Sequence, residues 1–428
     1  MRFCGQGHFA PPILRQLFRS SILPSDRAAL SDIRVIEVGD LISAPFTAKM
    51  MADLGADVIK VEAPQRGDSA RRHGPFPGDM PHREKSGLFL YLNSNKRGIT
   101  LNLETKTGRD TLLELCRQAD VVVENMQPEQ VRALGLDYEA FARANPRLIV
   151  TSVTAFGRKG PYKEYKGQAI NATALSGVAS RIGDPEREPL TTPLSRGDYW
   201  GAISAAAATM TALFARRRTG EGQHVDVSSA ECMSTLISSL NVMDFVDVGF
   251  VPSRYGSRLK MIAYPWTVLP CKDGFFTLIT IQERHWQRFV ELMGAPEWSK
   301  EARYKDRDAM GKLYPEEVDE RIKPFLMSKT KAELWALCRE NKIPFHAMQT
   351  MADVAQSPHL HARDYWVDME HPDAGRLRYP GAPYKLSESP WRLNRPAPRL
   401  GEHNREVLCG LLGYSGVDLV DMRRTGII

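Results

Sequence analysis

Arg34-Val35-Ile36-Glu37-Val38-Gly39 is a short β-branched run closed by a glycine, and Asp57-Val58-Ile59-Lys60-Val61-Glu62 is a second such run. Between them Phe46, Met50, Met51 and Leu54 recur at helical spacing over 45–54, and Gly55 closes the stretch. Strand, short helix, strand is a βαβ unit. Its strands must run parallel, and its crossover is right-handed.

The pattern continues outward. Residues 98–103 read as a strand, and 107–118 as a helix with Leu112, Leu113, Leu115 and Cys116 on its apolar side. Residues 119–124 hold the buried-strand run Val121-Val122-Val123. Short helices follow at 128–134 and 138–144, then a strand at 148–153. This predicts an α/β fold whose large domain, residues 30–216, is a Rossmann-like open parallel sheet with its ligands outside the carboxyl ends of the strands. No GxGxxG follows the first strand, so a dinucleotide is not expected. Residues 167–216 read as helical and rich in small side chains, including Ala205-Ala206-Ala207-Ala208. A strand at 224–227 opens a new region. A hairpin at 268–281, turning at Lys272-Asp273-Gly274, marks a smaller α/β domain over 225–325. The segment 330–428 begins helical and becomes proline-rich (Pro372, Pro380, Pro383, Pro390, Pro396, Pro398), which suits an extended arm returning to the large domain.

Bulk properties bound the function. A chain of 428 residues calls for more than one domain. Hydrophobic residues at 43% and charged residues at 25% describe a globular protein, and no run reaches the ~18 apolar residues of a membrane span. The net charge of +6 is spread along the chain, whereas nucleic-acid binding would predict a one-sided basic excess. The six cysteines form no CxxC pair and sit in apolar settings, so reduced thiols in the cytoplasm are expected and a zinc or redox site is not. His346, His359 and His361 lack a ligand spacing, so no metal is expected. Residues 1–29 carry Arg2, Arg15, Arg19 and Arg27 and few acids, which resembles a transit peptide. The transit-peptide reading is the weaker one: a poorly ordered leader or an early start codon is the expectation for 1–29.

A series of collinear strings then acquires a meaning. They are Ala52-Asp53-Leu54-Gly55-Ala56-Asp57-Val58-Ile59-Lys60-Val61-Glu62, Asn93-Ser94-Asn95-Lys96-Arg97, Val123-Glu124-Asn125 and Leu175-Ser176-Gly177. Further on come Arg218-Thr219-Gly220-Glu221-Gly222-Gln223, Pro270-Cys271-Lys272-Asp273-Gly274, His371-Pro372-Asp373-Ala374-Gly375 and Pro398-Arg399-Leu400-Gly401-Glu402-His403. In this order, over residues 33–410, the sequence resembles the family III CoA-transferases. The resemblance implies a Rossmann-like large domain, a small domain and two subunits interlocked like chain links. It also implies a coenzyme A thioester as substrate and no permanently bound cofactor. Contacts to that thioester fall by resemblance on Ile42, Ser43, Lys96, Arg97, Asn125, Met126, Arg132 and Thr154. Lys96 and Arg97 have an equally simple structural role.

Transferases of this family attack the thioester with an aspartate carboxylate in a Gly-x-Asp string, so that covalent capture divides one hard step into easier ones. Here the string is Gly167-Gln168-Ala169, and counting back from Ser176-Gly177 puts Ala169 in the aspartate position. A methyl group cannot attack a carbonyl or carry a proton. The nearest acids in sequence are Glu164 and Asp198, and Asp198 is expected to cap the helix that follows it. Three further positions where formyl-CoA transferase has cations hold Ala63, Glu104 and Ala133, with Lys106 and Arg132 close enough to compensate. The glycine-rich loop of that enzyme is absent from 253–263. These features predict the non-catalytic subunit of a CoA-transferase complex, partnered by a homologous chain that bears the aspartate. The resemblance to benzylsuccinate CoA-transferase, built from two related chains, implies succinyl-CoA and an aromatic dicarboxylate. An active homodimer with a relocated carboxylate and a thioester-binding protein without turnover are the alternatives.

Overall fold

The computed structural model describes residues 28–235, 239–259 and 263–428, so the leader expected at 1–29 lies almost entirely outside the described residues. Six strands form one parallel sheet: β1 (Arg34–Val38), β2 (Asp57–Glu62), β3 (Arg97–Thr100), β4 (Val121–Glu124), β5 (Ile149–Thr154) and β6 (Gln223–Ser228), in the order β3-β2-β1-β4-β5-β6. That is the doubly wound order, and the chain reverses direction across the sheet between β1 and β4. The helices are α1 (Ser43–Ala52), α2 (Gly87–Leu92), α3 (Lys106–Arg117), α4 (Pro128–Leu134) and α5 (Tyr138–Ala144). After β5 come α6 (Ala169–Leu175) and α7 (Arg196–Thr219), and β6 leads directly into α8 (Ser229–Met233).

Buried strands read as continuous apolar runs because helices cover both faces of a parallel sheet. One face packs Ile36, Ile59, Val122 and Val150 against Leu112, Leu115 and Phe141, while Val35, Val58, Val121 and Ile149 pack with Ala44, Ala48, Ala212 and Leu213 on the other. The small residues of α7 permit close approach to its neighbours. A side chain on Gly201 would meet Ser229 Oγ at 2.3 Å, and buried Thr151 and Thr209 join their hydroxyls at 2.7 Å.

The structure redraws two expected boundaries. The strand expected to open the small domain at 225 is β6, the last strand of the large sheet. The small sheet is antiparallel, β7 (Trp266–Cys271) with β8 (Gly274–Ile279), and it takes its third strand, β9 (His346–Ala347), from beyond 325. Nor is 167–216 helical throughout. Residues 182–195 form an irregular connection between α6 and α7 that carries Pro185, Pro189 and Pro193, which local helical spacing could not reveal.

The proline-rich arm follows the hairpin β10 (Trp366–His371) and β11 (Gly375–Pro380). Asn95 Oδ1 accepts from the amides of Asn394 and Arg395, and buried Arg71 donates to Pro398 O at 3.0 Å. Gly98 has no room for a side chain, since a Cβ there would lie 2.8 Å from Pro398 Cγ. The arm ends in α9 (Asn404–Leu412) and α10 (Gly416–Arg424), whose Val407, Leu408, Leu419 and Met422 join the large core.

Charges are buried inside this sheet. Glu37 of β1 stands in register with Lys60 of β2, and its carboxylate also accepts from Lys96 at the entrance to β3, both at 2.7 Å. The Lys60 ammonium reaches Asp68 at 2.7 Å on its other side. Burial alone would raise the pKa of Asp68, but Lys60 more than offsets it and holds the carboxyl at about 2. Burial would likewise discharge Lys60, yet Asp68 and Glu37 keep it firmly protonated. Removing one member leaves the others charged and unpaired out of water. We expect Lys60→Met to cost ~3–5 kcal/mol of stability, read as a lower urea midpoint with an unchanged slope.

Candidate active-site cleft

A cleft of about 480 Å³ opens at the carboxyl ends of β1, β2, β4 and β5, at the switch point of the sheet. Its floor is the turn after β1, Gly39 to Ser43. The turn is tight: a side chain on Gly39 would meet Ala44 Cβ at 2.6 Å, and Leu41 takes a left-handed φ of 62°. Two polar residues hold it. Asp68 Oδ1 accepts from Leu41 N at 3.0 Å, and Asn125 Oδ1 accepts from Asp40 N at 2.9 Å. The Asn125 amide donates in turn to Asp40 O and Ser43 Oγ.

Of the residues expected at the thioester, Ile42, Ser43, Asn125, Met126 and Thr154 line this cleft. Asn125 spends its side chain on the turn, and Thr154 Oγ1 accepts from Gly157 N at 2.9 Å. Lys96 and Arg97 do not reach it. The Lys96 ammonium is enclosed by Glu37 Oε2, Pro45 O and Asn93 Oδ1, and burial brings its pKa down to about 8. Arg97 begins β3, at the opposite end of the sheet, where it pairs with Asp57 and Glu406. Adjacent residues of a strand entrance point to different surroundings, and neither of these faces the cleft. Arg132 lies on the exposed side of α4, paired with Glu164, and Lys106 is exposed beside Asp110 at 2.5 Å. The compensating cations expected near the phosphates are therefore both engaged elsewhere.

Ala169 is the first residue of α6 and directly follows Gly167 and Gln168 in the cleft wall; it is 9% exposed. Asn171 Oδ1 accepts from Gln168 N at 3.0 Å, so that amide serves the start of the helix. The two fallback acids separate clearly. Glu164 is exposed, ion-paired with Arg132 and absent from the cleft lining. Asp198 lines the cleft with Gly167 and Gln168. It does not cap α7, because Ser195 holds the capping position and Asp198 is the third helical residue, its own amide bonded to Ser195 O. Its neighbour Gly197 brings the start of α7 against Ala169, where a Cβ would lie 3.1 Å from Ala169 O and 3.4 Å from its Cα. No hydrogen bond or ion pair among the described residues reaches the Asp198 carboxylate, and burial pushes its pKa up to about 6. The remaining charges of the lining are Asp40, Glu62, Asp68 and Lys166, and Lys166 is paired with Glu129 at 2.6 Å.

Residues 30–404 match the model of CoA-transferase family III. The chain belongs to this family. It is 36% identical to the succinyl-CoA:(R)-benzylsuccinate CoA-transferase subunit BbsE of Thauera aromatica, over 93% of this chain and 98% of that one. It is 32% identical to the succinate–glutarate CoA-transferase of Agrobacterium fabrum, over 91% and 97%. Identity to the beta subunit of the succinyl-CoA–L-malate CoA-transferase of Chloroflexus aurantiacus is also 32%, over 93% and 98%. Among solved structures, a CAIB/BAIF family protein from Brucella suis superposes with a TM-score of 0.81 at 29% identity, covering 90% of this chain and all of that one. Family III members act on coenzyme A thioesters, so the cleft at the switch point is the candidate site for that chemistry. Among the described residues no helix is long and apolar enough to cross a membrane, and no group of three or more His, Cys, Asp or Glu side chains could hold a metal ion.

Asp198 makes a test independent of any substrate. A carboxyl titrates near 3.9 in an unfolded chain, and its higher folded value means that the unfolded state releases its proton first. The fold therefore loses stability as pH rises from about 4 to about 6, by ~1–3 kcal/mol, with the positive end of α7 opposing part of this. We expect Asp198→Asn to raise the urea midpoint at pH 7.5 and to leave it unchanged below about pH 4.

Proposed function

We propose that this chain is the nucleophile-free subunit of a CoA-transferase that moves coenzyme A from succinyl-CoA to a carboxylic acid such as benzylsuccinate. A homologous chain carrying the aspartate performs the transfer, and the two form an interlocked dimer or a larger hetero-oligomer. The observation that carries the reading is Ala169 at the start of α6. By resemblance this is the position from which the family attacks the thioester, and here, directly after the cleft-lining Gly167 and Gln168, it carries only a methyl group.

The cations that the resemblance puts near the phosphates support the same reading. Charge-assisted bonds from Lys and Arg are what hold phosphates strongly. Here Lys166, Arg132 and Lys106 each face an acid, while Asp40 stands in the lining. Losing the nucleophile and the free cations together fits a site relieved of its chemistry better than one adapted to new chemistry. Two of the relatives, from Thauera aromatica and Chloroflexus aurantiacus, are themselves named as subunits, and the donor named for both is succinyl-CoA. The irregular connection at 182–195 and the exposed apolar residues of α6 and α7 (Ile170, Leu175, Ile203, Phe214) are the surfaces such a partner would cover.

The test compares the chain alone with the chain co-expressed with a homologue that has Asp in the Gly-x-Asp position. Succinyl-CoA-dependent thioester formation on added dicarboxylic acids is expected from the pair, and it should survive Glu164→Gln in this chain. Transfer by this chain alone would overturn the reading. A carboxylate moved to Asp198 would then be the second reading, favoured by that residue's free carboxylate in the cleft.

A further inference from the structure

We propose that Asp198 is a water-activating base, and that the chain's own cleft slowly hydrolyses short acyl thioesters such as succinyl thioesters instead of transferring their thiol. The proposal deepens the reading of the chain as nucleophile-free and rests on it.

Three observations converge. The first is the carboxylate itself, which lines the cleft and has no hydrogen-bond or ion-pair partner among the described residues. Half-buried carboxylates are normally paired, and one left free at the edge of a cavity is available to a bound molecule. The second is its place. Gly197 brings the first turn of α7 against Ala169 in the first turn of α6, and Asp198, the next residue, lines the cleft together with Gly167 and Gln168. The third is space. The cleft that Asp198 lines has about 480 Å³ of room, far more than the ~30 Å³ share of one water molecule in the liquid. A water can sit in this cleft beside the Asp198 carboxylate, a group able to take its proton.

The chemistry balances with water as the only co-reactant. The Asp198 carboxylate accepts a proton from the water as its oxygen bonds to the thioester carbonyl carbon. The tetrahedral intermediate collapses with cleavage of the C–S bond. The departing thiolate takes the proton from Asp198, leaving a free acid, a free thiol and the original carboxylate. No covalent acyl-protein forms, in contrast to the family's anhydride route. A base that titrates near neutrality suits this step, and burial has moved Asp198 in that direction. The ionisable groups around it are Arg196 and Tyr199 on α7, Glu231 on α8 and Lys49 on α1, with Asp40, Glu62, Asp68 and Lys166 in the cleft lining. Lys49 is occupied by Asp53, and Lys166 by Glu129. Lys166, Arg132 and Lys106 are each already paired with an acid, so a thioester that lacks the nucleotide should serve about as well as the whole coenzyme.

The experiment measures thiol release from succinyl-CoA and from succinyl-pantetheine, without an acceptor acid, between pH 4.5 and 8.5. It uses the purified chain, and in parallel the co-expressed pair whose sister chain has its aspartate replaced by alanine. Expected is release above the buffer blank that rises through about pH 6 and levels off, with kcat/KM for the two thioesters within about fivefold. Asp198→Asn should lower it at least tenfold while Glu164→Gln leaves it unchanged. In H₂¹⁸O one heavy oxygen should enter each succinate, with no acyl adduct in the intact mass of the protein. Release no faster than the blank, full activity in a folded Asp198→Asn protein, or an acyl adduct on Asp198 would each overturn the proposal. These failures leave the silent-subunit reading intact if the native pair still transfers coenzyme A. Transfer to an added acid by this chain alone overturns that reading instead, and this proposal with it.

Discussion

Glu37 is the constraint on which the rest of the large domain depends. It is a carboxylate on β1, a central strand of a sheet covered on both faces, where no water can solvate it, so it must be neutralised from within. Lys60 and Lys96 do this together, and Lys60 then requires Asp68 as a second anion. Each ion is thereby matched, and the knot ties β1 to β2, to the entrance of β3 and to the loop after β2. Neighbouring Glu62 extends it through Arg71 to Glu84, and Arg71 in turn holds the returning C-terminal arm at Pro398. Charges that seem dispensable by position are, in sum, the reason that segments far apart in sequence meet.

The same knot shapes the cleft. Asp68 is held ionised by Lys60, and its free oxygen Oδ1 accepts from Leu41 and Ala70, which pins the strained turn after β1. Asn125, at the end of β4, fastens the turn from the other side of the switch point. A cleft built this way is rigid at its floor whether or not it performs chemistry. The residues that hold the cleft together belong to the sheet and its turn, whereas Ala169 belongs to α6. The walls can therefore change function independently of the floor.

Local spacing revealed much of this. The βαβ periodicity led to the parallel sheet, and the strand ends to the place of the cleft. Ile42, Ser43, Asn125, Met126 and Thr154 came from the family resemblance, and they line the cleft because residues just beyond strand ends border a switch-point crevice. Lys96 and Arg97 stayed open between a ligand contact and a structural role for a physical reason. A cation in a chain of letters carries no record of its counter-ion, and Glu37 and Asp57 lie on other strands. The assignment of β6 failed similarly, since a strand's sheet depends on its partner, and β6 finds β5 across the whole length of α6 and α7. Asp198 looked like a cap because acids before helices usually are. Only the backbone showed that Ser195 had already taken that position.

What the sequence alone determined is the order of strands and helices along the chain and the identity of the group at 169. Periodicity and covalent structure are properties of the chain itself and need no partner. The tertiary structure decided which charges are spent and which are free. It buried Lys96 against Glu37, paired Glu164 with Arg132 at the surface and left Asp198 in the cleft without a partner among the described residues. The reason is that electrostatic fate depends on distance to an opposite charge and on access to water, and both are set by how the sheet brings remote segments together.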